Sequence, residues 1–170
     1  MYLIRILGSA LLLAGCGGFG FSMAAAHRRE AALLRQLIHA LQEMEWELRY
    51  RLTELPELCR IGGDAAGGPI RGLLAELAGK LERLEVTDLS ACLNGMISGT
   101  DLPGRVRRNL RELGRCLGRF DLEGQLQGLQ MLRLQCRRDL QALEQDAPLR
   151  LRSYQTLALC TGAALAILLI

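Results

Sequence analysis

The middle of the chain repeats apolar residues in steps of three and four positions, which is the period of an amphipathic helix. The first such stretch predicts a long helix over about residues 28–52, and its apolar positions are Leu33, Leu34, Leu37, Ile38, Leu41, Met44, Leu48 and Leu52. The last one predicts the longest helix, which Asp121 caps and which Pro148 is expected to end or kink. No segment alternates apolar and polar residues as a half-buried strand does, so the pattern predicts an all-α fold.

Shorter helices are predicted between these two. Thr53 is the predicted N-cap of a helix that has Pro56 in its first turn, because a threonine side chain can accept a bond from a free backbone amide. The glycine-rich run over residues 62–69 predicts a flexible loop. Further helices are predicted over about residues 69–85, from Thr87 or Asp88 to Gly99, and from Asp101 to Arg119. The first and last helices are expected to pack as antiparallel partners, with the shorter helices on one side.

Two uncharged stretches, residues 6–26 and 153–170, are long enough to cross a bilayer, which takes roughly 17–25 residues as a helix. Arginines flank both stretches on the side of the middle segment, namely Arg28, Arg29, Arg35, Arg150 and Arg152. By the positive-inside rule, this asymmetry places the middle segment in the cytoplasm. The predicted organisation is an N-terminal transmembrane helix (1–27), a cytoplasmic helical domain (28–152) and a C-terminal transmembrane helix (153–170).

The amino-terminal stretch also permits an alternative interpretation. Leu13-Ala14-Gly15-Cys16 follows a short apolar run, as at the cleavage site of bacterial lipoproteins. Cleavage there would leave a lipidated Cys16 and export the rest of the chain. Against this, the apolar character continues past Cys16, where lipoproteins have a polar tether, and the arginines before the second stretch favour the cytoplasm. The uncleaved helix is therefore the preferred interpretation, and an exported lipoprotein is the alternative.

Composition offers few candidates for catalysis. The six cysteines stand singly, without the close pairs that are typical of zinc sites, and they are expected to be reduced and mostly buried. His27 and His39 are the two histidines, and His39 lies near Glu43 on a predicted helix face. No GxxxxGK[ST] loop for a nucleotide is present. The chain is therefore predicted not to be an enzyme and to need neither a metal nor a cofactor.

A basic run occupies the penultimate predicted helix, and it consists of Arg105, Arg107, Arg108, Arg111, Arg115 and Arg119. Nucleic-acid binding usually adds stacking aromatic residues between basic ones, and none occurs here before Phe120. No nucleic-acid partner is therefore predicted. The run is expected to form a solvated helix face or a surface near anionic lipid headgroups.

Pairs of glycines four residues apart occur on two predicted helices, Gly114 with Gly118 and Gly124 with Gly128. Glycine costs a helix roughly 1 kcal/mol relative to alanine. Its presence at this spacing twice predicts a close approach between helices. A plain C-cap is the alternative for Gly118.

Three motifs make the chain similar to the stage III sporulation protein AB family of endospore-forming bacteria. The first runs from Leu34-Arg35-Gln36-Leu37 through Ala40-Leu41-Gln42, Glu45, Glu47-Leu48 and Tyr50 to Thr53-Glu54-Leu55-Pro56-Glu57. The second is Leu113-Gly114-Arg115-Cys116-Leu117-Gly118 with Asp121 and Gln125, and the third is Tyr154, Leu157 and Gly162. The last span departs from the family pattern, with Arg152 or Ser153 in place of a lysine and Ala158 in place of a glycine.

This resemblance implies a non-enzymatic membrane scaffold in the channel or secretion-like complex between mother cell and forespore. The soluble domain would resemble the F-type helical domain of type II secretion platforms. The implied location is the mother-cell membrane around the forespore. The implied partners are a stage III sporulation protein AA-like ATPase and other membrane proteins of the same complex. A secretion or pilus platform subunit unrelated to sporulation is the alternative.

The residues proposed for packing or interaction are those at which the chain matches the family motifs: Glu47, Tyr50, Pro56, Gly114, Gly118, Asp121 and Gln125. Glu47 and Arg49, as exposed charges on the first helix, and the basic run are the candidate contacts with the ATPase.

Overall fold

The computed structural model describes the backbone of residues 2–117 and 121–169 and the side chains of residues 25–117 and 121–145. Six helices and no strand occur over the described backbone: α1 (Tyr2–Tyr50), α2 (Leu55–Ala66), α3 (Gly68–Glu82), α4 (Leu89–Ser98), α5 (Gly104–Cys116) and α6 (Leu122–Leu169). The all-α prediction is confirmed. The chain divides into two compact units, one formed by Met1–Arg29 with Ala142–Ile170 and the other by Glu30–Gln141, which we call the central unit.

No helix is long and apolar enough to cross a membrane within the part of the chain whose side chains are described. Both predicted spans lie outside that part, apart from residues 25–27 at the end of the first one. The transmembrane helices and the lipidation of Cys16 therefore stay predictions. The backbone of α6 continues past Pro148, so this proline does not end the helix.

The apolar stripe predicted on the first helix forms the core of the central unit. Leu34, Leu37, Leu41 and Met44 are completely buried, because they recur at the spacing that puts them on one face of α1. Leu52, the last predicted member of the stripe, lies beyond the end of α1 and is exposed.

The glycine-rich run is not the flexible loop that its composition predicts. α2 continues to Ala66, and both Gly62 and Gly63 are buried inside it. A Cβ atom on Gly62 would lie 2.2 Å from Cε and 2.9 Å from Cγ of Met44 on α1. The absence of a side chain at Gly62 therefore allows α2 to pack closely on α1. The loop prediction considers only the conformational freedom of glycine and not this close packing.

The chain turns only at the end of this run. Gly67 has a φ of 69° and Gly68 a φ of 52°, in the left-handed region that favours glycine. α3 then packs back against α2, and Leu74 Cβ would lie 3.3 Å from a Cβ on Gly63. Arg60 of α2 pairs with Glu82 at the far end of α3, so the two helices form an antiparallel hairpin.

Of the N-caps predicted from the sequence, Asp88 and Asp121 are confirmed and Thr53 is not. Asp88 caps α4 as predicted, since its Oδ1 accepts bonds from the backbone amides of Ser90 at 2.8 Å and Ala91 at 3.3 Å. Asp121 caps α6 by accepting from the Gly124 amide at 3.2 Å. The Thr53 prediction is wrong, because the N-cap position of α2 is Glu54, and Thr53 donates its hydroxyl to Glu47 instead.

Close contacts through small residues join the later helices. A Cβ on Gly114 of α5 would lie 3.1 Å from Leu93 Cδ2 on α4, and one on Gly128 of α6 would lie 3.1 Å from the Cys116 sulfur on α5. α5 and α6 run antiparallel, since Asn109 contacts Asp139 while Cys116 lies against Gly128. Gly118 lies outside the described residues.

Candidate interaction surface

Three of the four cysteines of the central unit, Cys59, Cys116 and Cys136, are buried thiols, and Cys92 is partly exposed. Burial raises the pKa of Cys59 from 9.0 to about 12, and burial, followed by the charge of Asp139, raises the pKa of Cys136 to about 12. Burial and the nearby Glu112 also raise the pKa of Cys116. These thiols stay protonated at neutral pH, and the thiolate is the reactive form. Among the described residues, no group of three or more His, Cys, Asp or Glu side chains could hold a metal ion.

The basic run is partly the solvated face that the sequence predicts, since Arg108, Arg111 and Arg115 are exposed, but several of its arginines also make contacts within the protein. Arg108 donates to both carboxylate oxygens of Asp139, at 3.1 and 3.2 Å, and Asn109 donates to Oδ2 at 3.0 Å. Arg105 donates to the backbone oxygen of the same Asp139 at 3.0 Å. Arg107 donates to the carbonyl oxygens of Thr100 and Leu102, and Arg115 pairs with Glu112. Arg111 is exposed, and Arg119 lies outside the described residues.

Glu47 is not the exposed charge that the sequence predicts. Only 7% of its surface is exposed. Its Oε2 accepts from the Thr53 hydroxyl at 2.9 Å, and its Oε1 lies 3.4 Å from Arg51 Nη1. The carboxylate therefore stabilises the turn between α1 and α2 and has little surface left for a partner protein.

A second buried carboxylate, Glu45, joins α1 to α6. Its Oε1 accepts from Arg49 at 3.2 Å and from Gln130 at 2.9 Å, and its Oε2 lies 3.1 Å from Arg133 Nη2. The predicted packing of the first helix against the last is therefore present in the central unit. A buried carboxylate needs such partners, because burying an unpaired charge is costly.

An open groove of about 570 Å³ lies between α1 and α6, and Glu45 is part of its lining. We call it the Trp46 groove. Its lining consists of Gln42, Glu43, Glu45, Trp46, Arg49, Tyr50, Arg133 and Arg137. Trp46 and Tyr50 are one helical turn apart, and their ring centroids lie 5.4 Å apart at an interplanar angle of 47°. The guanidinium of Arg51 lies 5.6 Å from the centroid of the Trp46 ring. Both aromatic residues are exposed to solvent, Trp46 at 49% and Tyr50 at 66% of their surface.

The described residues of the family motifs lie on several different elements. Tyr50 lies on the Trp46 groove, and Pro56 lies half-buried in the first turn of α2. Asp121 caps α6, and the half-buried Gln125 donates its backbone amide to the Asp121 carbonyl at 2.9 Å. Gly114 lies at the contact between α4 and α5.

The groove contains residues that sequence reasoning missed. The pair of aromatic residues at positions i and i+4 is a visible signal, since such residues share one helix face. The wall formed by Arg133 and Arg137 has no comparable signal, because it comes from a helix far away in the sequence.

Comparison with known proteins agrees with this fold. The family model for stage III sporulation protein AB matches residues 5–170. A solved structure titled stage III sporulation protein AB (SpoIIIAB) superposes with a TM-score of 0.61 at 20% sequence identity, covering 71% of this chain and 98% of that one. A comparison with curated proteins gives no match. At 20% identity the structural likeness shows the fold alone, whereas the family match extends over nearly the whole sequence. The chain therefore belongs to the stage III sporulation protein AB family.

Proposed function

We propose that the protein is a non-enzymatic membrane scaffold of a sporulation complex, and that its central unit docks a secretion-type ATPase at the membrane. Family membership gives the sporulation role. The ATPase is the partner that the resemblance to the family implies. The two uncharged stretches and their flanking arginines support anchoring at both ends, with the central unit in the cytoplasm of the mother cell.

A scaffold without catalysis fits the chemistry of the central unit. Its buried thiols are held protonated, and its buried carboxylates Glu45 and Glu47 are already paired with arginines. The sequence contains no GxxxxGK[ST] loop of the kind that binds the phosphates of a nucleotide. ATP hydrolysis in such a complex would therefore belong to the partner.

The Trp46 groove is the observation that most supports docking. Tryptophan, tyrosine and arginine are the residues most enriched among those that dominate binding energy at protein interfaces. Here one of each, Trp46, Tyr50 and Arg49, lies along a single exposed face of α1. A helix face of this composition is a better candidate contact than Glu47, which is buried, or the basic run, which has no aromatic residue between its arginines.

The test is capture of the purified ATPase by the full-length protein reconstituted in nanodiscs. We expect binding to the parent, and a loss of about 2 kcal/mol or more for Trp46→Ala, which is roughly 30-fold in affinity. Met131→Ala is the matched control, since Met131 is another large exposed apolar residue but does not line the groove. Absence of binding by a parent protein that circular dichroism shows to be helical would contradict the docking proposal.

A further inference from the structure

We propose that the Trp46 groove recognises an acidic protein segment, which places an apolar side chain against Trp46 and Tyr50 and a carboxylate against Arg137. This inference rests on the proposed docking function, because the segment would belong to the docked partner. It adds the chemistry of the partner surface, which docking by itself leaves open.

The charges of the groove differ between its two walls. The α1 wall contains both signs, with Glu43, Glu45 and Arg49, whereas the charged residues of the α6 wall are Arg133 and Arg137. Arg133 is engaged with Glu45 and only partly exposed. An incoming anionic group is therefore attracted to the α6 side of the groove.

Arg137 is the residue best placed to bind that group. It is exposed, and the ion pairs to Glu45 in the groove are made by Arg49 and Arg133. Its neighbour in the groove, Glu45, already has three partners in Arg49, Gln130 and Arg133. A guanidinium presents two parallel N–H groups that match a carboxylate, so a glutamate or aspartate of a partner fits this position.

The aromatic residues on the α1 side of the groove determine which side chain of the partner binds beside the carboxylate. The Trp46 and Tyr50 rings form a tilted pair, and Arg51 packs over Trp46. These contacts hold the indole in place before any partner arrives, which lowers the entropy cost of binding. The exposed aromatic surface gains from burial against an aliphatic side chain, as in other interface anchors. The fitting ligand is thus an acidic segment that also presents an apolar residue.

The groove contains its own reporter, because Trp46 is the only tryptophan of the chain. The probe is a synthetic helical peptide of Glu, Leu and Ala, and the control peptide has Gln in place of Glu. Each is titrated into the full-length protein in phosphatidylcholine nanodiscs while tryptophan emission is recorded. We expect a saturable blue shift with the Glu peptide that weakens as salt is added, and at least about tenfold weaker binding of the Gln peptide.

Two charge-reversal variants locate the binding site. Arg137→Glu should weaken binding of the Glu peptide at least about tenfold, whereas Arg138→Glu should change it less than about threefold. Arg138 is the matched control, since it is also exposed and changes the net charge equally but does not line the groove. Equal binding of the two peptides, or equal effects of the two variants, would overturn the proposal.

Anionic lipid is the competing ligand for an arginine on this surface. Nanodiscs that contain phosphatidylglycerol, without peptide, should leave the Trp46 emission unchanged. An Arg137-dependent shift caused by that lipid alone would identify a lipid site and overturn the inference. Capture of the ATPase distinguishes this inference from the docking proposal. If the parent and Arg137→Glu capture the ATPase equally well, the acidic-segment inference alone is refuted. If the parent captures no ATPase, the docking proposal is refuted.

Discussion

Replacing Gly62 by alanine tests whether the glycine-rich run exists for close packing. In an exposed helix, glycine to alanine stabilises by roughly 1 kcal/mol, because alanine loses less backbone freedom on folding. At Gly62 the new Cβ would lie 2.2 Å from Cε, 2.9 Å from Cγ and 3.0 Å from Sδ of Met44. Met44 is completely buried, so it has little room to move. Overpacking of this kind costs roughly 1–3 kcal/mol and should outweigh the gain in helix propensity.

Gly72→Ala is the matched control, since a Cβ on Gly72 of α3 meets nothing within 4 Å. Thermal unfolding of the full-length protein, followed by circular dichroism, should give a lower midpoint for Gly62→Ala and a higher one for Gly72→Ala. A difference of 1 kcal/mol corresponds to roughly 4 °C for a unit of this size. In a Met44→Ala background, which removes the clashing atoms, Gly62→Ala should no longer destabilise. If Gly62→Ala raises the midpoint as much as Gly72→Ala does, the packing explanation is refuted.

Three further predictions follow from the described contacts. Asp139→Ala should destabilise the protein by roughly 1–3 kcal/mol in urea unfolding, because it removes the acceptor of the buried Asn109 amide, and an unchanged midpoint would contradict this role. Burial raises the pKa of Cys59 in the folded protein from 9.0 to about 12, so the thiol of the unfolded chain ionises first as the pH rises. The free energy of unfolding should therefore fall above pH 9, and a Cys59→Ser variant should lose part of that pH dependence. An impermeant thiol reagent applied to intact cells should not label Cys92, which is partly exposed, if the central unit is cytoplasmic, whereas ready labelling would support the exported lipoprotein.

Local chemistry explains the parts of the fold that the sequence predicts well. The buried face of α1 follows from the spacing of Leu34, Leu37 and Leu41, and the starts of α4 and α6 follow from Asp88 and Asp121 as N-caps. Each of these features depends on residues within a few positions of one another. Periodicity and capping are signals of that range.

The errors arise where a distant residue decides the outcome. Gly62 is predicted to lie in a loop because the sequence does not show its contact with Met44. Arg108 is exposed as predicted, but the sequence does not show its ion pair with Asp139 on another helix. Glu47 is a different case, because its partners are near in the sequence. A charged residue is usually exposed, but Thr53 and Arg51 bind the Glu47 carboxylate in a buried position. The Trp46 groove, by contrast, requires α6 to supply its second wall.

The proposed function requires the α1 side of the Trp46 groove to contact the ATPase during sporulation. The most direct measurement is photocrosslinking in sporulating cells, with a photoreactive phenylalanine analogue placed at Tyr50 in one strain and at Met131 in another. Both side chains are 66% exposed, so the two positions differ in location and not in accessibility. We predict that mass spectrometry identifies the ATPase in the adduct from position 50 and not in that from position 131. Equal adducts from both positions, or none from position 50 in cells that complete sporulation, would contradict the account.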